Sequence, residues 1–129
     1  MLPPIHHLAL RVRDPGRAAA FYTGVLGLAE LRRAEESGAL RSVWLQAGDA
    51  VLMLERRLRG RAPDEGSGHL LALAVDDLAA WERRLAAAGV AIEDRTEHTI
   101  YLRDPDGHRV GLSDFSFGDS RQPTVNGRQ

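Results

Sequence analysis

The sequence predicts an α+β fold built from two βαβββ modules. Three observations carry that prediction. Short segments alternate apolar and polar residues at strand period. Two stretches of helical period each begin at an Asp and end at a Gly. The same order of elements then recurs after a Gly- and Arg-rich break at residues 56–68. With 129 residues, the chain forms one domain of two small halves, neither large enough to bury its own sheet alone.

In the first module, about residues 5–55, the opening strand (5–12) turns Leu8, Leu10 and Val12 one way and His7, Ala9 and Arg11 the other. Asp14 caps a helix with Pro15 at its first position, and Ala18, Phe21, Tyr22, Val25 and Leu26 follow at helical spacing up to Gly27. Strands are predicted over 28–33, 41–46 and 50–55. In them Trp44 and Gln46 oppose Val43 and Leu45, and Val51, Met53 and Glu55 oppose Leu52 and Leu54. The second module, about 69–115, repeats this with a strand at 70–75, an Asp76-Asp77 cap and a helical stripe of Leu78, Trp81, Leu85 and Ala88 ending at Gly89. Strands follow over 90–94, 99–103 and 109–114, the last two joined by Asp104-Pro105-Asp106-Gly107, a turn by composition. Val12 matches Val75 and Asp14 matches Asp77 at one shared offset, while Met53 falls opposite Gly111. Each helix then covers one face of its sheet, and the other faces line a shared cavity. The tail, 116–129, is polar, and the linker reads as a solvated charged loop.

Composition removes several functions. There is no Cys, hence no disulfide, thiol nucleophile or thiolate metal site. All seventeen basic residues are Arg, which excludes a lysine Schiff base. A net charge of −1 favours neither nucleic acid nor an anionic membrane surface, and no apolar run is long enough to span a bilayer. The N-terminus lacks the pattern of a secretory signal, so a cytoplasmic protein is expected. Ser42 and Ser113 have no base and orienter to complete a nucleophilic triad.

The segments His-Leu-Ala-Leu-Arg-Val at 7–12, Ala-Val-Asp-Asp-Leu at 74–78 and Tyr-Leu-Arg-Asp-Pro-Asp-Gly-His at 101–108 resemble the vicinal oxygen chelate superfamily. It comprises glyoxalase I, extradiol dioxygenases, fosfomycin-resistance thiol transferases and bleomycin-resistance proteins. The resemblance spans about residues 5–115. It implies a curved, barrel-like mixed sheet with the helices outside. It further implies that metal-dependent members place ligands on the cavity face of the first and last strands of each module. Here those positions hold His7, Met53, Leu70 and Gly111. Thioether sulfur is a poor ligand for hard divalent ions, and Leu and Gly donate nothing. His69 is one residue out of register and faces the other way unless a bulge resets the strand.

By strand parity the cavity face presents His7, Ala9, Arg11, Trp44, Gln46, Met53, Leu70, Ala72, Tyr101, Arg103 and Gly111. Aromatic, small and a few polar groups describe a site for a flat, partly anionic aromatic molecule. Trp44 and Tyr101 occupy equivalent strands and would flank a ring, and Arg11 and Arg103 would take a carboxylate or phosphate. Alternatively the two rings fill the cavity themselves or pack at a subunit interface, His7 is a pocket wall, and Arg103 pairs with Asp104 or Asp106. Three readings follow: a metal-free binder of the bleomycin-resistance type, acting by sequestration as a homodimer without cofactor; a lyase, dioxygenase or thiol transferase using a divalent metal on His7, a bulged His69 and Glu55; or a subunit whose faces serve association. The residues favour a binder over an enzyme.

Overall fold

In the computed structural model, residues 2–60 and 68–117 are described. The central part of the linker and the tail from residue 118 lie outside them. The order of elements is β1 (His7–Arg11), α1 (Pro15–Ala20), β2 (Ala29–Glu36), β3 (Ala39–Ala47), β4 (Ala50–Glu55), β5 (Leu71–Ala74), α2 (Leu78–Ala87), β6 (Asp94–Arg95), β7 (Thr99–Arg103) and β8 (Arg109–Ser113). Two four-stranded sheets result, ordered β1-β4-β3-β2 and β5-β8-β7-β6. In each, the first strand runs parallel to the last strand of its module and the other pairs are antiparallel. This is the twin βαβββ arrangement expected. The sheets remain separate and no closed barrel forms. Among the described residues no helix is long and apolar enough to cross a membrane.

The local signals act as their chemistry dictates. Asp14 Oδ1 accepts from Gly16 N and Arg17 N, and Asp77 Oδ1 accepts from Ala80 N, so both helices start on a carboxylate cap. α1 widens into a π-type turn over Phe21–Val25, where Thr23 Oγ1 donates to Ala19 O and Leu26 N reaches back to Phe21 O. It closes on Gly27 at φ 81°, with Leu28 N bonded to Tyr22 O.

Two strands differ from the sequence reading. β2 runs on to Glu36 and meets β3 through a hairpin at Ser37 and Gly38, both at positive φ, an arrangement that the bulges in β2 hide from a parity count. The strand expected over 90–94 shrinks to Asp94–Arg95. Val90 N is spent on closing α2 at Leu85 O, and Val90 and Ile92 pack half-buried against the core as irregular chain.

Leu10, Val12, Val43, Leu45, Leu52 and Leu54 from one sheet and Ile100, Leu102, Val110 and Leu112 from the other join Tyr22 and Leu85 of the helical segments in one buried cluster. The helix-bearing faces of both modules therefore share a core. One polar contact crosses it: Tyr22, fully buried, donates its hydroxyl to Asp104 Oδ2 at 2.7 Å. The Asp104 carboxylate also accepts from Asp106 N at 2.9 Å and His108 N at 2.8 Å, which holds the Asp-Pro-Asp-Gly turn in shape. Nearby, Asp106 Oδ1 accepts from Arg13 N at 2.8 Å, and His108 Nε2 lies 2.7 Å from Arg11 O. Because a carbonyl only accepts, the His108 proton sits on Nε2. The turn of module two is thus bonded to the end of β1 and to α1's continuation.

Burial, with the Asp104 charge beside it, raises the Tyr22 pKa well above its usual value near 10. The folded protein holds that proton more tightly than the unfolded chain, so this contribution is intact below about pH 10 and is lost as pH rises above it. Urea unfolding of Tyr22→Phe at neutral pH is expected to show a loss of about 2 kcal/mol, the usual cost of removing a charge-assisted buried bond. Above pH 10, the wild type should lose stability about 1.4 kcal/mol per pH unit more steeply than Tyr22→Phe.

Candidate functional site

Strand alternation turns a second face of each sheet away from the shared core. In module one, register aligns Ala9, Met53, Trp44 and Arg32 across β1, β4, β3 and β2. In module two it aligns Ala72, Gly111, Tyr101 and Asp94 across β5, β8, β7 and β6. The equivalence of Trp44 with Tyr101 and of Met53 with Gly111 is therefore a matter of hydrogen-bond register. Trp44, Gln46, Met53 and Tyr101 are half-buried, while His7, Leu70 and Ala72 are exposed. These faces lie on the sides opposite the helices. No hydrogen bond or ring contact among the described residues joins the Trp44 face to the Tyr101 face.

Each aromatic ring carries a guanidinium. Arg32 stands over Trp44 at 5.3 Å and Arg109 over Tyr101 at 4.2 Å. Trp44 Nε1 donates to Glu55 Oε2 at 2.9 Å, tying the indole to the end of β4. Glu93 accepts from Arg103 Nε at 3.0 Å and Arg109 Nε at 3.3 Å, and Arg109 also lies 3.6 Å from Asp94. The bond from Arg103, reinforced by Arg109, holds the Glu93 carboxyl below the usual carboxylate range.

Arg103 takes Glu93 and Gly107 O rather than Asp104 or Asp106, the partners weighed from sequence. Arg11 Nη2 donates to the carbonyls of Leu58 and Gly60, so this arginine folds the start of the linker against β1. Gln46 Nε2 donates to Gly48 O within its own hairpin. Arg109 was recognisable in principle, because it shares the parity of Gly111. Arg32 was not, because β2 is bulged, and Glu93 lies outside regular strand.

The four positions read as possible metal ligands do not assemble a donor set. His7 Nδ1 lies 2.9 Å from His6 Nδ1, at the exposed start of β1. Met53 stands beside Ala9 and Trp44. A Cβ placed on Gly111 would lie 3.3 Å from Thr99 Cγ2 and 3.6 Å from Leu70 Cδ1 and Tyr101 Cδ1, so Leu70 and Tyr101 already close over that position. The register of β5 on β8 is regular from Leu71 to Ala74, and the exposed His69 ring stacks on His108 at 6.0 Å. Among the described residues no group of three or more His, Cys, Asp or Glu is placed to hold a metal ion. The residues present do not fit the divalent ion that the resemblance implies.

The sequence model of the Glyoxalase/Bleomycin resistance protein/Dioxygenase superfamily matches residues 4–112. The chain belongs to that superfamily. Among its relatives, the probable lactoylglutathione lyase of Vibrio cholerae is 31% identical over 84% of this chain and 88% of its own length. The metallothiol transferase FosB of Bacillus licheniformis is 28% identical over 92% of this chain and 79% of its own. Among solved structures, TnmS3, an antibiotic binding protein from Streptomyces sp. CB03234, superposes with a TM-score of 0.66. It is 25% identical and covers 87% of this chain and 95% of its own. The superfamily fixes the scaffold and leaves the chemistry to the site.

The Trp44–Glu55 bond is partly shielded, and a double-mutant cycle on Trp44→Phe and Glu55→Leu should return a coupling of about 1 kcal/mol in urea unfolding.

Proposed function

We propose that this superfamily member is a small-molecule binder that works without a metal, taking a flat, partly anionic aromatic guest against Trp44 and Tyr101. The observation that carries this reading is the set His7, Met53, Leu70 and Gly111 at the four donor positions, with Leu70 and Tyr101 packed over Gly111. Each face offers an aromatic surface under a guanidinium, which suits a ring bearing a carboxylate, sulfonate or phosphate group. The superposition on an antibiotic binding protein supports sequestration as the biological use.

Because the two faces point away from the common core, a second copy of the chain is the occupant proposed to complete the site. In that homodimer the Trp44 face of one protomer lies opposite the Tyr101 face of its partner. The guest then sits between two rings from two chains. A second reading, a metal-dependent lyase or thiol transferase, draws on the names of the relatives and on His7.

One set of measurements separates the two. Protein purified without added metal or chelator is expected to contain far less than one equivalent of divalent metal and to sediment as a dimer. It should bind the anionic aromatic probe 8-anilinonaphthalene-1-sulfonate equally well with and without EDTA. Trp44→Ala and Tyr101→Ala should each weaken that binding about tenfold, equivalent to about 1.4 kcal/mol, and His7→Ala should leave it unchanged. A near-stoichiometric divalent metal that His7→Ala removes would establish the enzyme reading instead.

A further inference from the structure

Register arranges the side chains of the Tyr101 face in three rows. Arg103 lies opposite Arg109, Tyr101 opposite Gly111 with Ala72 beyond it, and Thr99 opposite Ser113 with Ala74 beyond it. Successive rows are two residues apart, about 7 Å along each strand. The first row is cationic and the second flat and aromatic, and both enter the binding proposed above. The third row carries two hydroxyls for which that binding has no use.

The two hydroxyls are held to each other. Thr99 Oγ1 donates to Ser113 Oγ at 2.8 Å, and Phe115 N donates to the same oxygen at 3.2 Å. A serine oxygen has two lone pairs and one proton, so Ser113 has no acceptor capacity left and serves a further partner only as a donor. Among the described residues that proton meets no acceptor. Gly111 explains why the pair is turned this way. A Cβ there would come within 3.3 Å of Thr99 Cγ2, so the threonine methyl fills the space the glycine leaves and Oγ1 is directed at Ser113. Thr99 and Ser113 are half-buried, at the border of the face rather than in open solvent.

We propose that Ser113 is the specificity-determining residue of the Tyr101 face, donating its hydroxyl proton to a neutral acceptor such as a ketone on the aromatic guest. It presupposes the aromatic binding proposed above and names the guest more closely. The cation and the spare donor stand on opposite sides of the ring row, so the guest carries its anionic group at one end and its carbonyl at the other. Arg109 leans from the first row over Tyr101 at 4.2 Å, which shortens the roughly 13 Å between the outer rows toward the length of two fused rings. A guest lacking the acceptor would leave the Ser113 proton unpaired beneath it, and that loss is what discriminates.

Calorimetric titration of the intact protein with 6-acetyl-2-naphthoate and 6-isopropyl-2-naphthoate tests this, because the two match in charge and nearly in shape and differ in the carbonyl. The acetyl compound should bind about fivefold more tightly to the wild type. Ser113→Ala should weaken the acetyl compound alone and bring the two affinities together, the unchanged isopropyl affinity showing that the face is intact. Ser113→Cys, which keeps the shape but is a much weaker donor, should do the same. Thr99→Val leaves the Ser113 proton in place and should keep the preference. Equal affinities in the wild type overturn the proposal and leave the aromatic reading standing. A preference that survives Ser113→Ala and Ser113→Cys, or one that Thr99→Val abolishes, overturns it as well. Binding of neither compound overturns the aromatic reading and this one with it.

Discussion

The hydrogen bond from Tyr22 to Asp104 is the constraint on which the rest of the structure depends. It joins the helical segment of module one to the turn of module two across 82 residues of sequence, in a core otherwise built of aliphatic side chains. Apolar packing alone is non-directional and tolerates sliding of one module on the other. A buried carboxylate that needs every acceptor site filled does not. Asp104 takes two donors from its own turn and the third from Tyr22, so the docking angle of the modules is set by a polar valence.

That docking decides what the sheets are left to do. Because the helix-bearing faces meet, the Trp44 and Tyr101 faces are directed outward, each with its own register-matched row of residues. What each face does possess is an aromatic surface beneath an arginine, with Arg109 held by Glu93 on one face and the Trp44 indole held by Glu55 on the other. Such tethering restricts side-chain freedom in the free protein, which would lower the entropic cost of the binding proposed above.

Much of this was legible in the sequence, and the exceptions have physical causes. The caps at Asp14 and Asp77, the glycines at 27 and 89 and the alternation in β1, β3, β4, β7 and β8 are local signals, and local chemistry decided them. β2 escaped because bulges break its period, and residues 90–94 did because the chain there serves the helix terminus and core instead of a ladder. Parity puts Arg11 on the face of Ala9 and Arg103 on the face of Tyr101, but parity is silent about partners. Arg11 is occupied by carbonyls in the linker, a contact of long sequence separation, and Arg103 by Glu93, ten residues away, and no periodicity encodes either. The dependence of Tyr22 on Asp104 belongs to the same class.

The Asp-Pro-Asp-Gly turn deserves a different interpretation once its bonds are traced. As a motif it is among the features that most suggest a metal-dependent relative. The polar contacts of its side chains are architectural: Asp104 receives Tyr22 and the amides of Asp106 and His108, Asp106 receives Arg13, and the residue after the turn, His108, bonds to β1. A turn with that duty has to be kept whatever the site does. It therefore says that the modules dock in this manner, and nothing about catalysis. The information on chemistry sits seven residues after Asp104, at Gly111, where a buried position closed over by Leu70 and Tyr101 leaves no side chain to bind an ion. Scaffold and site are encoded by adjacent but separable residues, so one can persist while the other is rewritten.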